Sequence, residues 1–290
     1  MKTIAVLPAG SVSDEAAKHL FQNEEVNWKH HRLISDVFLS TVNGVSDYSI
    51  IPIENTIEGS VSLHMDWLVH EVDLPIQAEW IYPSIQNLIG RQSELATEEG
   101  IIDFSRINKV ISHPVAIAQC LQFLRTHLPH AVTEHVSSTA EGVRIVRNNP
   151  DAGWAAIGTM TAAGNEKLDV LSSEITDHDN NYTRFLLVGA NPYTARHSDT
   201  RKTSILITLP EDYPGALHQV LSAFAWRKIN LSRIESRPTK KKLGNYYFYI
   251  DIEMALDTVL LPSAIQEIEA IGCQVRILGS YPSFAESKNV

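Results

Sequence analysis

The chain has 290 residues, of which 44% are hydrophobic and 20% charged, and it carries a formal net charge of −10. That length accommodates two domains, or three lobes, and the composition excludes large-scale disorder. The acidic balance argues against a nucleic-acid binder, which needs a basic face. The cysteines, Cys120 and Cys273, lie far apart in apolar segments, with no spacing for zinc or redox chemistry. No apolar run approaches the ~20 residues of a membrane span, and the short run from Thr3 to Leu7 is followed by no cleavage pattern. A cytoplasmic protein is expected.

Taken in order, Thr3 to Leu7 reads as a buried strand. The following Pro8–Ser13 turn enters a helix whose first turn Ser11 or Ser13 can cap, leaving N–H groups that suit an anion; Asp14 and Glu15 already satisfy the dipole there, so capping alone explains the pattern about as well. A strand from Trp28 to Leu33 and a helix capped by Ser35 and ending near Gly44 precede the strand Tyr48–Ile53. That strand delivers Glu54–Ser60 to a sheet's carboxyl end, and Val61, Met65, Leu68 and Val69 then mark one face of a helix. A second lobe is expected from Pro75 onward, with strands Ile76–Ile81 and Ile85–Ile89. His113-Pro114 opens a helix whose buried face carries Ile117, Cys120 or Leu121, Leu124 and Leu128. Strand Val132–Val136 leads to Ser137-Ser138-Thr139 at another helix start, and strands follow at Ala155–Gly158 and Leu168–Leu171. The polar stretch Asp177–Tyr182 then runs into Thr183-Arg184-Phe185-Leu186-Leu187-Val188, a loop feeding a strand. Alternating strands and helices imply parallel α/β sheets. The proposed division is lobe one at 1–74 plus 175–189 and lobe two at 75–174.

Ala190–Lys202 is polar and proline-interrupted, so it reads as a linker that few contacts need cross. Beyond it come strand Thr203–Leu209, helix Ala216–Lys228, strands Leu231–Ser236 and Tyr246–Glu253, helix Pro262–Ile271 and strand Gln274–Leu278. This is the βαββαβ order of a ferredoxin-like domain, set at 203–281. Lys240-Lys241-Lys242 is a solvated turn.

Four polar clusters follow strands: Pro8–Ser13, Glu54–Ser60, Ser137–Thr139 and the loop before Thr183. None has a metal-ligand spacing, a phosphate-binding glycine loop or a nucleophile elbow, so neither metal nor cofactor is expected. In an extended strand Thr183 and Phe185 share one face and Arg184 the other; Arg184 reaches a ligand beside Thr183 only if the chain bends, and otherwise pairs with a carboxylate.

Together Pro52–Ser60, His113–Cys120, Ser138–Ala140 and Asn181–Phe185 resemble the prephenate dehydratase family. Gly215–His218 and Ile234–Pro238 resemble its C-terminal ACT domain, so the likeness covers nearly the whole chain. It departs from the family at Leu7–Ser13, which lacks the usual first glycine, has Ser11 for threonine and Val12 for phenylalanine. The resemblance implies a two-lobed, periplasmic-binding-protein-like catalytic domain and an ACT domain. It implies a lyase that converts prephenate to phenylpyruvate with loss of water and carbon dioxide, in phenylalanine biosynthesis. Thr183, Arg184 and Phe185 are then catalytic, and Ser11, Asn55, Thr56, Ser138 and Thr139 bind substrate. Gly215, Ala216, Leu217, His218, Asn230, Glu235, Ser236, Arg237 and Pro238 form an allosteric site for phenylalanine, the effector, between two ACT domains of a homodimer or homotetramer. Arogenate as substrate, or a catalytically silent amino-acid sensor, are the alternatives.

Overall fold

The computed structural model describes residues 1–194, 196, 198–211, 213–240 and 246–285. The first lobe comprises β1 (Lys2–Val6), α1 (Val12–Leu20), β2 (Val26–His30), α2 (Ile34–Val42), β3 (Tyr48–Asn55), β4 (Gly59–Ser60), α3 (Ser62–His70) and β5 (Ile76–Pro83). The second comprises β6 (Asn87–Gly90), α4 (Gln92–Leu95), β7 (Lys109–Ser112), α5 (Pro114–Ala118), α6 (Leu121–His127), β8 (Val132–His135), α7 (Thr139–Asn148), β9 (Trp154–Gly158), α8 (Met160–Glu166) and β10 (Asp169–Ser172). The chain returns to the first lobe as β11 (Tyr182–Val188). It then builds β12 (Arg201–Thr208), α9 (Ala216–Ala225), β13 (Leu231–Pro238), β14 (Tyr246–Ile252), α10 (Leu260–Ala270) and β15 (Gln274–Ala285).

The second lobe has its own five-stranded sheet, in the order β10-β6-β9-β7-β8. All other strands share a ten-stranded sheet, ordered β13-β14-β12-β15-β5-β11-β3-β1-β2 with β4 beside β3. β1, β2 and β3 pair in parallel, whereas β11 runs antiparallel to both β3 and β5. The sheets are therefore mixed rather than purely parallel. Ile50, Ile51 and Ile53 are fully buried, as the unbroken apolar run of a strand covered on both faces requires.

Ile76–Pro83, expected in lobe two, lies instead in the first sheet between β11 and β15. Its apolar content announces a strand, but its neighbours come from more than a hundred residues away and leave no local mark. Ser35 does not cap α2, where Leu33 stands at the cap without a side-chain bond. The helix expected from Pro114 onward is broken in two at Gln119–Cys120: the Gln119 carbonyl accepts the Asp177 N–H (2.8 Å), and both Asp177 carboxylate oxygens accept the Gln122 N–H (3.0 Å). Tertiary capping thus overrides the continuous helical pattern.

The βαββαβ order of the C-terminal domain holds, but the domain is not set apart by a loose linker. β15 runs past the expected boundary at 281 and pairs in parallel with β5, Ser283 to Glu79 and Phe284 to Trp80. Leu206, Tyr249, Leu278 and Tyr281 share a hydrophobic core with Ile51, Ile53, Met65 and Leu186. Within the linker, Tyr193 is buried and meets Phe21 and Tyr48 edge-on. Lys240 pairs with Asp66 at 3.4 Å, while Lys241 and Lys242 lie outside the described residues. Among the described residues no helix is long and apolar enough to cross a membrane.

Candidate active site

A cleft of about 740 Å³ lies between the two lobes, at the carboxyl ends of β1, β2, β3, β7 and β8. Parallel strands present their loops and helix starts together at that end. Ser11 caps α1 by accepting the Asp14 N–H at 3.2 Å. Ser138 caps α7 by accepting the Glu141 N–H at 3.1 Å. The N-termini of these helices thus approach the cleft from opposite lobes, each carrying partial positive charge on unpaired first-turn N–H groups.

β11 supplies the floor. Thr183 and Phe185 line the cleft on one side of the strand. The Asn55 Nδ2 donates to Thr183 Oγ1 at 3.0 Å and to Asn181 Oδ1 at 2.8 Å, and the Ser84 hydroxyl lies 2.6 Å from Thr183 Oγ1. Asn181 Nδ2 donates to the Ser84 carbonyl (3.0 Å) and to Gln119 Oε1 (2.9 Å). Asn55 Oδ1 accepts the Ile57 and Glu58 N–H groups, fixing the turn after β3. The Thr183 hydroxyl is therefore buried in a side-chain network whose geometry is set by both connections between the lobes.

The expected residues divide. Ser11, Asn55, Ser138, Thr139, Thr183 and Phe185 all line the cleft. Thr56 is outside this lining set: its hydroxyl donates to the Asn180 carbonyl (2.6 Å) and accepts the Tyr182 N–H (2.9 Å), clamping the loop ahead of Thr183. Arg184 is also outside it. Its guanidinium turns to the opposite face of β11 and is buried with Glu79 (2.6 Å from Nε) and Asp251 (2.5 Å from Nη1). Strand alternation, without a bend, decides between the two placements open to it. Burial opposes the charge on Arg184, but Asp251, with Tyr281 and Glu79, outweighs it and holds the pKa well above the ordinary value.

Sequence reading missed Ser84, Gln86 and Gln119, which line the cleft from the second lobe's side. Ser84 and Gln86 belong to the crossover after β5, a segment without a motif. Gln86 is buried, and its Oε1 has no hydrogen-bond partner among the described residues. Two histidines also line the cleft. His64 Nδ1 lies 2.6 Å from the Pro52 carbonyl, and His113 Nδ1 accepts the Val115 N–H at 3.3 Å; burial lowers the pKa of each.

The effector residues divide as well. Gly215 starts α9 with φ +93°, Ala216 is buried and His218 exposed. The exposed Asn230 donates to Glu253 Oε2 at 2.5 Å. On β13 exposure alternates, so Ser236 and Pro238 face solvent while Glu235 and Arg237 face the first lobe. Glu235 accepts from the Ser60 hydroxyl at 2.8 Å, and Arg237 pairs with Asp66. Those two charged side chains are committed to the catalytic domain.

A cleft at the strand ends of two α/β lobes, joined to a βαββαβ domain, defines a two-lobed small-molecule protein with an attached regulatory module. The prephenate dehydratase family model matches residues 4–193, and the ACT domain model matches residues 203–272. The chain belongs to the prephenate dehydratase family. The prephenate dehydratase of Bacillus subtilis is 40% identical, covering 98% of this chain and 99% of that protein. That of Methanocaldococcus jannaschii is 38% identical, covering 97% and 98%. The crystal structure of the Arthrobacter aurescens prephenate dehydratase in complex with L-Phe is 30% identical and aligns with a TM-score of 0.85, over 97% of this chain and 90% of that one.

Proposed function

We propose that the cleft converts prephenate to phenylpyruvate, with Thr183 as the group that assists departure of the hydroxyl. The observation that carries this reading is the bonding around Thr183 Oγ1, which accepts from Asn55 Nδ2 and sits 2.6 Å from Ser84 Oγ. With Asn55 donating to it, the Thr183 O–H is polarised and directed outward, toward Ser84 or a ligand oxygen in the cleft. In the reaction the ring carboxylate leaves as carbon dioxide, and the electrons of its C–C bond enter the ring. The C–O bond of the ring hydroxyl breaks, and the oxygen departs as water after taking a proton. Thr183 hydrogen-bonds that oxygen as charge develops on it. First-turn N–H groups of α1 and α7 hold the substrate's carboxylates, with the apolar faces of Phe185 and Pro52 against its ring.

Among the lining residues the carboxylate is that of Glu58, which is solvent-exposed. An ammonium group deep in the cleft would find no counter-charge there, which favours prephenate over arogenate. The C-terminal domain binds phenylalanine as an inhibitor at Gly215–His218, together with the exposed residues of β13, between copies of the chain in a homodimer or homotetramer. We assign the protein to the cytoplasm. The test follows phenylpyruvate formed from prephenate with and without phenylalanine. Turnover that phenylalanine suppresses is expected. Absence of turnover by the folded protein would overturn the assignment and leave an amino-acid sensor.

A further inference from the structure

A dianionic substrate entering a protein of net charge −10 needs more than helix ends, because the long-range field opposes its approach. Among the cleft-lining residues the fixed cation is Arg32, in the turn between β2 and α2. Its side chain is 76% exposed, and Nη2 lies 4.0 Å from Glu141 Oε1 on α7, across the cleft in the other lobe. That pair is weak on both sides. The other oxygen of Glu141 accepts the Ser137 N–H at 2.9 Å and bonds the Ser137 hydroxyl, and Arg144 competes for Oε1 at 4.0 Å. Those bonds to Ser137 lower the Glu141 pKa, so its charge persists. Arg32 therefore lines the same cleft as the N-termini of α1 and α7, held by a partner that is already satisfied.

We propose that Arg32 is the carboxylate-binding cation of the cleft, exchanging its loose pair with Glu141 for a carboxylate of the substrate. A guanidinium can grip a carboxylate with two parallel N–H bonds, which a 4.0 Å contact does not. The exchange also explains the geometry. Arg32 belongs to one lobe and Glu141 to the other, so the pair bridges the lobes, and on binding the substrate takes over that bridging role. This inference rests on the assignment of the reaction given above.

Arg32→Gln, Arg32→Lys and Glu141→Gln test it in the full chain. Arg32 is exposed, so melting temperatures should match the wild type. Arg32→Gln should raise KM for prephenate about 10- to 100-fold, the scale of a lost charge-assisted bond, with kcat within about threefold. Arg32→Lys should fall between, since a point charge replaces a fork. Glu141→Gln keeps the bonds to Ser137 but removes the competing charge, and should lower KM by about two- to fivefold. KM of the wild type should also rise more steeply with salt than that of Arg32→Gln. A KM within twofold of wild type in Arg32→Gln overturns the proposal. So does a fall in kcat at unchanged KM, or a raised KM in Glu141→Gln. Wild-type turnover of prephenate tests the reaction alone, whereas only the ratio of variant to wild type bears on Arg32.

Discussion

Replacing Asp251 with asparagine tests whether the C-terminal domain holds the back of the catalytic strand. Asp251 and Glu79 are fully buried, and their cations are Arg184 and Lys202, the latter 2.6 Å from Glu79 Oε1. Two buried anions thus face two cations, while the more exposed Glu54 lies 3.5 Å from Arg184 Nη1 and is shared with Arg233. Asp251→Asn keeps the shape and the contact with the Ser204 hydroxyl but leaves an excess positive charge. Removing one partner of a buried pair costs about 3–5 kcal/mol, and since Glu79 remains beside Arg184 the lower end applies. At about 2–4 °C per kcal/mol, the melting temperature should fall by about 6–12 °C. Adding Arg184→Met should restore at least half of that loss, because Glu79 keeps Lys202. The pH dependence has a definite sign. Burial raises the Asp251 pKa, but Arg184 outweighs it, so the folded value lies below the ordinary 3.8. The pair's contribution is therefore complete above that ordinary value and lost as pH falls through the lower folded one. Calorimetry of wild type and variant should show a constant difference from neutral pH down to about 5, closing only in stronger acid. A variant melting within about 1 °C of wild type at neutral pH, or a double variant no better than the single, would refute the reasoning.

Thr183→Ala should lower kcat about 100-fold or more with the fold intact, and serine should restore more than valine; near-normal initial rates in the alanine variant would exclude Thr183 from the chemistry. Gly10 has φ +78°, and a Cβ there would come 2.9 Å from the Ala162 backbone of the other lobe. Gly10→Ala should therefore destabilise the protein by about 1–2 kcal/mol and raise KM, and an unchanged denaturation midpoint would count against the contact between lobes. The Cys120 thiol is fully buried and pushed up to about 12, mainly by burial. Thiol reagents at pH 8 should leave it unmodified until the protein unfolds, and rapid native-state labelling would show that the α5–α6 region opens. Gly215→Val places a β-branched residue at φ +93°; it should weaken phenylalanine inhibition while leaving effector-free turnover nearly unchanged, as dose–response curves would reveal.

The sequence disclosed what is local. Hydroxyl residues at the starts of α1 and α7 and the βαββαβ order were legible because each depends on a few neighbouring residues. Of the cleft, the residues that follow strands were legible for the same reason. Ser84, Gln86 and Gln119 were not, since only the fold brings the crossover and the helix break to Thr183. Arg184 shows the limit most clearly. Alternation could say that it faced away from Thr183, but not that Asp251, 67 residues later, would be waiting there. The polar composition of 190–202 likewise suggested independence, whereas the strand beyond it, β15, completes the first lobe's own sheet.

The pairing of β15 with β5 also bears on how the protein is made. Ser283 bonds Glu79 across 204 residues of chain, so the edge of β5 stays open until nearly all of the described sequence has left the ribosome. An open strand edge invites pairing with another chain, and synthesis at ~5–20 residues per second leaves it open for about 10 s or longer. The second lobe, whose strands lie within residues 87–172, can close its sheet early. The first cannot. Nascent chains should therefore lean on chaperones chiefly through the first lobe, and a ribosome stalled before Ser283 should release a species that aggregates through β5.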